Sequence, residues 1–171
     1  MQTVARTMRA RAPADRVSAS APRNAQGAPT GASALLAYSG ALPLIVAAVI
    51  AWVRPDLAEP ALLTMVFYGS ILLVFFGGVR WGVAVMREGG ASFGHLVGAI
   101  IPALLALPVI AAPSPALSLG ALALVLPLLL LSDLRATRAG SGAPAWYLGV
   151  RVPLTLMMET SVLIGLAAAL L

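Results

Sequence analysis

From residue 34 onward the chain is written as long apolar runs separated by short polar links, with no polar face recurring every helical turn. A helix on the surface of a water-soluble domain would show that recurring face. The runs predict helices over about 34–53, 61–86, 95–112, 116–132 and 147–170. They reach or approach the ~20 residues that cross ~30 Å of hydrocarbon. The links are Arg54-Pro55-Asp56-Leu57-Ala58-Glu59-Pro60, then Arg87-Glu88-Gly89-Gly90, then Pro113-Ser114-Pro115, then a Gly/Ser/Pro loop preceded by Arg135 and Arg138. The expected fold is an all-α integral membrane bundle of five transmembrane helices spanning residues 34–171. The third and fourth spans are short and carry Pro102, Pro108 and Pro127. For these two a re-entrant hairpin is the alternative, and it leaves the placement of the last helix unchanged.

Composition fits this pattern. The chain is 60% hydrophobic and 10% charged, and its eleven basic residues are all arginine. Such arginine usage, beside abundant Ala and Leu, suggests a GC-rich bacterial genome. Five arginines fall in the first 23 residues, within a stretch rich in Ala, Ser, Pro and Gly. Residues 1–33 have too little apolar surface to fold alone, so a disordered cytoplasmic tail is expected. Arginines in the short loops sort to one side: the tail, Arg87, Arg135, Arg138 and Arg151 lie together, against Arg54 opposite. By the positive-inside rule this predicts a bacterial inner membrane protein with a cytoplasmic N-terminus and an external C-terminus. Trp52, Trp81 and Trp146 fall near span ends, where amphipathic rings prefer to sit. The basic balance is thereby used by the membrane, and no nucleic-acid partner is expected. The bilayer is the expected surrounding, with a membrane protein or a second copy as partner.

Two charges lie within the predicted spans, Arg80 in the second and Glu159 in the fifth. Side chains lean toward the N-terminus of their own helix. The two helices run in opposite directions, so the two side chains lean toward each other and an Arg80–Glu159 pair is expected. Arg151, Thr155 and Glu159 follow at i, i+4 and i+8, a polar stripe expected to face protein. The pair reads as a structural lock, with a proton or cation relay as the alternative. Gly78-x-x-x-Gly82 and Gly94-x-x-x-Gly98, with Gly77 beside them, match the spacing that lets helices approach closely.

Catalysis finds little support. There is no cysteine and one histidine, His95. Asp56 and Glu59 sit on the opposite side from Glu88, His95 and Asp133, so no Ser/His/Asp set converges. Gly77-Gly78-Val79-Arg80-Trp81-Gly82 lacks the Lys-Ser/Thr pair of a phosphate loop. No metal, no cofactor and no enzymatic activity are expected.

Three words carry a resemblance: Tyr38-Ser39-Gly40-Ala41-Leu42-Pro43, Phe76-Gly77-Gly78-Val79-Arg80-Trp81-Gly82 and Trp146-Tyr147-Leu148-Gly149-Val150-Arg151-Val152-Pro153-Leu154-Thr155. Together they resemble the bacterial and mitochondrial family called domain of unknown function 3429, which includes transmembrane protein 69. The likeness covers about residues 34–171. It implies that Gly77, Gly78, Arg80, Trp81, Gly82, Trp146, Tyr147, Arg151 and Pro153 are signature positions. It implies a membrane protein and no particular activity.

Overall fold

The computed structural model describes residues 31–144 and 146–171. All but the last three residues of the expected tail, 1–33, lie outside them. The described residues form helices α1 (Gly31–Ser39), α2 (Leu42–Val53), α3 (Ala58–Val85), α4 (Phe93–Ala111), α5 (Pro115–Arg138) and α6 (Tyr147–Ala169), with a 3₁₀ turn at Pro55–Leu57. Five helical segments are long and apolar enough to cross a bilayer, with α1 and α2 together making the first, Ala34–Val53. The chain is a multi-pass membrane protein.

The first span bends where Gly40 and Ala41 separate α1 from α2. Tyr68 Oη donates to the Gly40 carbonyl at 2.8 Å, so a side chain of α3 satisfies backbone at the break. At ~1.5 Å per residue the 28 residues of α3 measure roughly 42 Å. That exceeds the hydrocarbon thickness, so α3 must tilt or protrude. Ser92 caps α4 by accepting from the His95 N–H at 3.4 Å. Ser114 caps α5 by accepting from the Leu117 N–H at 3.3 Å. Both α4 and α5 have the length of full spans. α5 runs to Arg138, six residues beyond the boundary expected from hydropathy.

α3 packs on α4, α2 and α5, and α6 packs on α5 and α2. Leu44, Met65, Leu73, Leu119, Leu122, Leu126, Met158 and Val162 fill the interior. Large apolar groups also cover the outside, among them Phe67, Ile71, Val74 and Phe75 on α3 and Leu104 and Leu107 on α4. Apolar side chains on both surfaces are what lipid on one side and protein on the other require.

Prolines put the polar contacts where they are. A proline has no N–H, so the carbonyl four residues earlier loses its helical partner. Pro102 frees the Gly98 carbonyl, which accepts from Arg80 Nη1 at 3.3 Å. Pro153 frees the Gly149 carbonyl, which accepts from Tyr38 Oη at 3.4 Å. Pro113 leaves the Val109 carbonyl to Ser118 Oγ at 2.8 Å. In each case a side chain from another helix takes the acceptor, as a bilayer interior demands.

Candidate functional site: a buried arginine–aspartate–arginine centre

Arg80, Asp133 and Arg151 meet near the end of the bundle where α3 and α5 finish and α4 and α6 begin. Each lies about one helical turn from that end: Arg80 five residues before Val85, Asp133 five before Arg138, Arg151 four after Tyr147. Arg80 Nε donates to Asp133 Oδ1 at 2.8 Å. Arg151 Nε donates to Asp133 Oδ2 at 3.1 Å. Arg80 also donates from Nη2 to the Leu129 carbonyl at 2.8 Å, besides its bond to Gly98. One guanidinium thus ties α3 to α4 and α5, and the carboxylate passes the connection on to α6.

The three side chains are 16%, 6% and 2% exposed for Arg80, Asp133 and Arg151. Burying ions costs several kcal/mol each, and attraction repays this only when hydrogen bonds fill the remaining valences. Both carboxylate oxygens are filled. The Arg151 guanidinium carbon sits 3.4 Å from the centroid of the Phe76 ring, a cation–π contact. Its Nη1 and Nη2 are buried without a hydrogen-bond partner. Two cations and one anion leave an excess of one positive charge in this centre.

The expected Arg80–Glu159 pair is corrected here, because Arg80 is joined to Asp133. Glu159 lies two turns further into α6 than Arg151, and its Oε2 is buried without a partner. Helix direction and side-chain lean describe depth, yet which helices are neighbours decides the contact. Depth also held a usable signal: Asp133 matches Arg80 in distance from the shared end, and Glu159 does not. Hydropathy hid Asp133 by suggesting that the span stopped at its first charge. The helix itself continues past that charge to Arg138. Of the polar stripe of α6, Arg151 and Thr155 are buried, with Thr155 Oγ1 donating to the Arg151 carbonyl at 2.8 Å, and Glu159 is partly buried.

The packing glycines are also redistributed. A Cβ on Gly77 would lie 2.7 Å from the Ala99 carbonyl oxygen, so this glycine allows α3 and α4 to touch. Cβ atoms on Gly78, Gly82, Gly94 or Gly98 would meet nothing within 4 Å, so these four are not close-packing positions in the bundle. Spacing alone does not reveal which face meets a neighbour. Gly69 against Leu122 and Gly165 against Met65 are tight contacts that the spacing rule missed.

A cavity of about 230 Å³ adjoins the centre. Its walls include Arg80, His95, Asp133, Thr137, Ser141 and Tyr147. Arg87 Nη1 donates to His95 Nε2 at 2.8 Å, which leaves the ring proton on Nδ1 to donate to Ser92 Oγ at 2.6 Å. Trp81 and Trp146 are largely exposed, and Trp52 Nε1, near the opposite end, donates to the Ile164 carbonyl at 3.0 Å. Among the described residues, no group of three or more His, Asp and Glu side chains is placed to hold a metal ion.

A family model described as "Protein of unknown function (DUF3429)" matches residues 30–167. The chain belongs to the DUF3429 family. The match takes in all three members of the charged centre and the cavity beside it. No curated protein and no solved structure matches the chain. Several positions that carried the DUF3429 resemblance have physical tasks in the bundle. Arg80 and Arg151 flank Asp133, Gly77 permits helix contact, and Pro153 frees the carbonyl that Tyr38 takes.

Proposed function

We propose that this chain is a non-catalytic protein of the bacterial inner membrane that acts by packing against a membrane partner or a second copy of itself. The observation that carries this reading is the saturation of Asp133 by Arg80 and Arg151. The arrangement links α3, α4, α5 and α6 and holds each carboxylate oxygen against a guanidinium group, which favours a structural use of Asp133 over base catalysis. A buried charge network of this kind fixes helix register, which suits a rigid docking body. The arginine-rich end faces the cytoplasm in this reading, and the C-terminus lies outside.

Co-purification in mild detergent, with identification of retained membrane proteins and of oligomer mass, tests the reading. A partner or stable oligomer lost on Asp133→Leu is the expected result; a monomer that retains nothing counts against it. Alkaline phosphatase fused to Leu171 should be active, and an inactive fusion would reverse the orientation. The second reading, an ion- or proton-coupled transporter or channel, is favoured by one observation, the buried and unpartnered Oε2 of Glu159. Flux in proteoliposomes that disappears with Glu159→Gln would establish it over the first.

A further inference from the structure

We propose that the cavity beside Arg80 binds a single phosphate group, carried either by an anionic lipid headgroup or by a free small molecule. The argument starts from charge. Arg80, Asp133 and Arg151 together hold one uncompensated positive charge at low exposure, which an anion alongside would offset. Asp133 is the one acid in the cavity wall, and both of its oxygens are already occupied by guanidinium groups. Among the Val, Ala and Gly residues that make up much of the wall stand hydrogen-bond donors: Arg80, with N–H groups beyond its three bonds, and the hydroxyls of Thr137, Ser141 and Tyr147. Such a lining repels cations and solvates an oxyanion.

Size narrows the class. About 230 Å³ falls below the roughly 300–1,000 Å³ of sites that hold drug-sized ligands. A single phosphate group fits within that space. Position supplies the rest. Gly94 and His95 at the start of α4, and Ser141 and Ala143 in the loop before α6, place the cavity at the arginine-rich end. Basic pockets between helices at that level are where phospholipid headgroups dock. Gly94 and Gly98 line the same space without packing against any helix, so their lack of side chains keeps the cavity open.

The test uses the full chain in nanodiscs of phosphatidylcholine. Two probes are applied: inorganic phosphate at matched ionic strength against chloride, and phosphatidylglycerol mixed into the disc. Binding is read as a rise in melting temperature and as lipid retained in native mass spectrometry. Gly94→Leu and Thr137→Leu fill the cavity from two different helices and leave the three charged residues in place. Each should weaken binding at least about tenfold. Gly120→Leu is the control, because its Cβ also meets nothing within 4 Å and it lies about 20 Å along α5 from Asp133. Retention of phosphatidylglycerol alone assigns the site to a lipid headgroup, and a response to inorganic phosphate assigns it to a free anion. Either supports the proposal. A response to neither probe, an equal response to chloride, or binding that survives both filling substitutions overturns it.

Discussion

The two ends of this bundle are held together by different physics. At the arginine-rich end, α3, α5 and α6 meet through Arg80, Asp133 and Arg151, with Gly98 of α4 and Leu129 of α5 contributing carbonyl oxygens. Toward the other end the helices meet through apolar contacts and neutral hydrogen bonds, with Gly165 receiving Met65, Leu119 and Val162 fully buried, and Trp52 and Ser118 donating to the Ile164 and Val109 carbonyls. Within hydrocarbon, sequestering apolar groups gains little, and association depends on close packing and on polar bonds. The charged end has one arrangement in which every ion is compensated as far as the helices allow, so it sets register for the whole molecule.

The contrast breaks first at Asp133. Asp133→Leu leaves two buried arginines with no carboxylate and should cost about 3–5 kcal/mol, read as lost folded fraction in a detergent titration. A loss no larger than that of an apolar truncation would mean that the centre does not fix the bundle. A double-mutant cycle sharpens the point. Arg80→Leu with Asp133→Leu should be non-additive by about 1–3 kcal/mol, whereas Arg80→Leu with Glu159→Leu should add to within about 0.5 kcal/mol. Coupling in the second cycle would restore the Arg80–Glu159 contact expected from helix direction.

Glycines give the next test. Gly77→Ala drives a methyl group into the Ala99 carbonyl and should destabilise by about 1–3 kcal/mol. Gly78→Ala enters open space and should be neutral or slightly stabilising, since alanine is the better helix former. Gly165→Ala should cost less than Gly77→Ala, because the atoms it meets are the flexible end of Met65. Equal effects at the three sites would show that the apparent contacts do not govern packing. Smallest are the hydroxyl donors. Ser118→Ala should cost about 0.6 kcal/mol, the usual value for such a bond within a membrane, and Tyr38→Phe less, given its 3.4 Å distance.

Hydropathy made the helices legible because a membrane span must be apolar along its whole length, and that demand is one-dimensional. The charged centre was half legible. Arg80 stood out as a charge within a span and Arg151 as the start of a polar stripe, but their shared partner depended on which helices lie side by side. Asp133 was concealed because the apolar run ends one residue before it, while the helix runs on to Arg138. The Gly-x-x-x-Gly words failed for the same reason, since Gly78 and Gly82 share a face that no helix covers. Pro102 and Pro153 were visible in the chain, and the carbonyls they free could be counted from sequence. The donors, Arg80 and Tyr38, are set by tertiary packing.

Arg80 and Asp133 are separated by 53 residues, so the ribosome delivers the guanidinium well before its counter-ion. At ~5–20 residues per second the delay is roughly 3–10 s. Through that interval α3 carries, five residues from its end, a charge without its counter-ion, and the long side chain is drawn to the headgroups. The second span is therefore expected to reach its final depth only once the fourth has arrived. Nascent chains arrested ahead of Asp133 should leave Trp81 more open to aqueous quenchers than the finished protein does, and identical quenching would mean that α3 settles unaided.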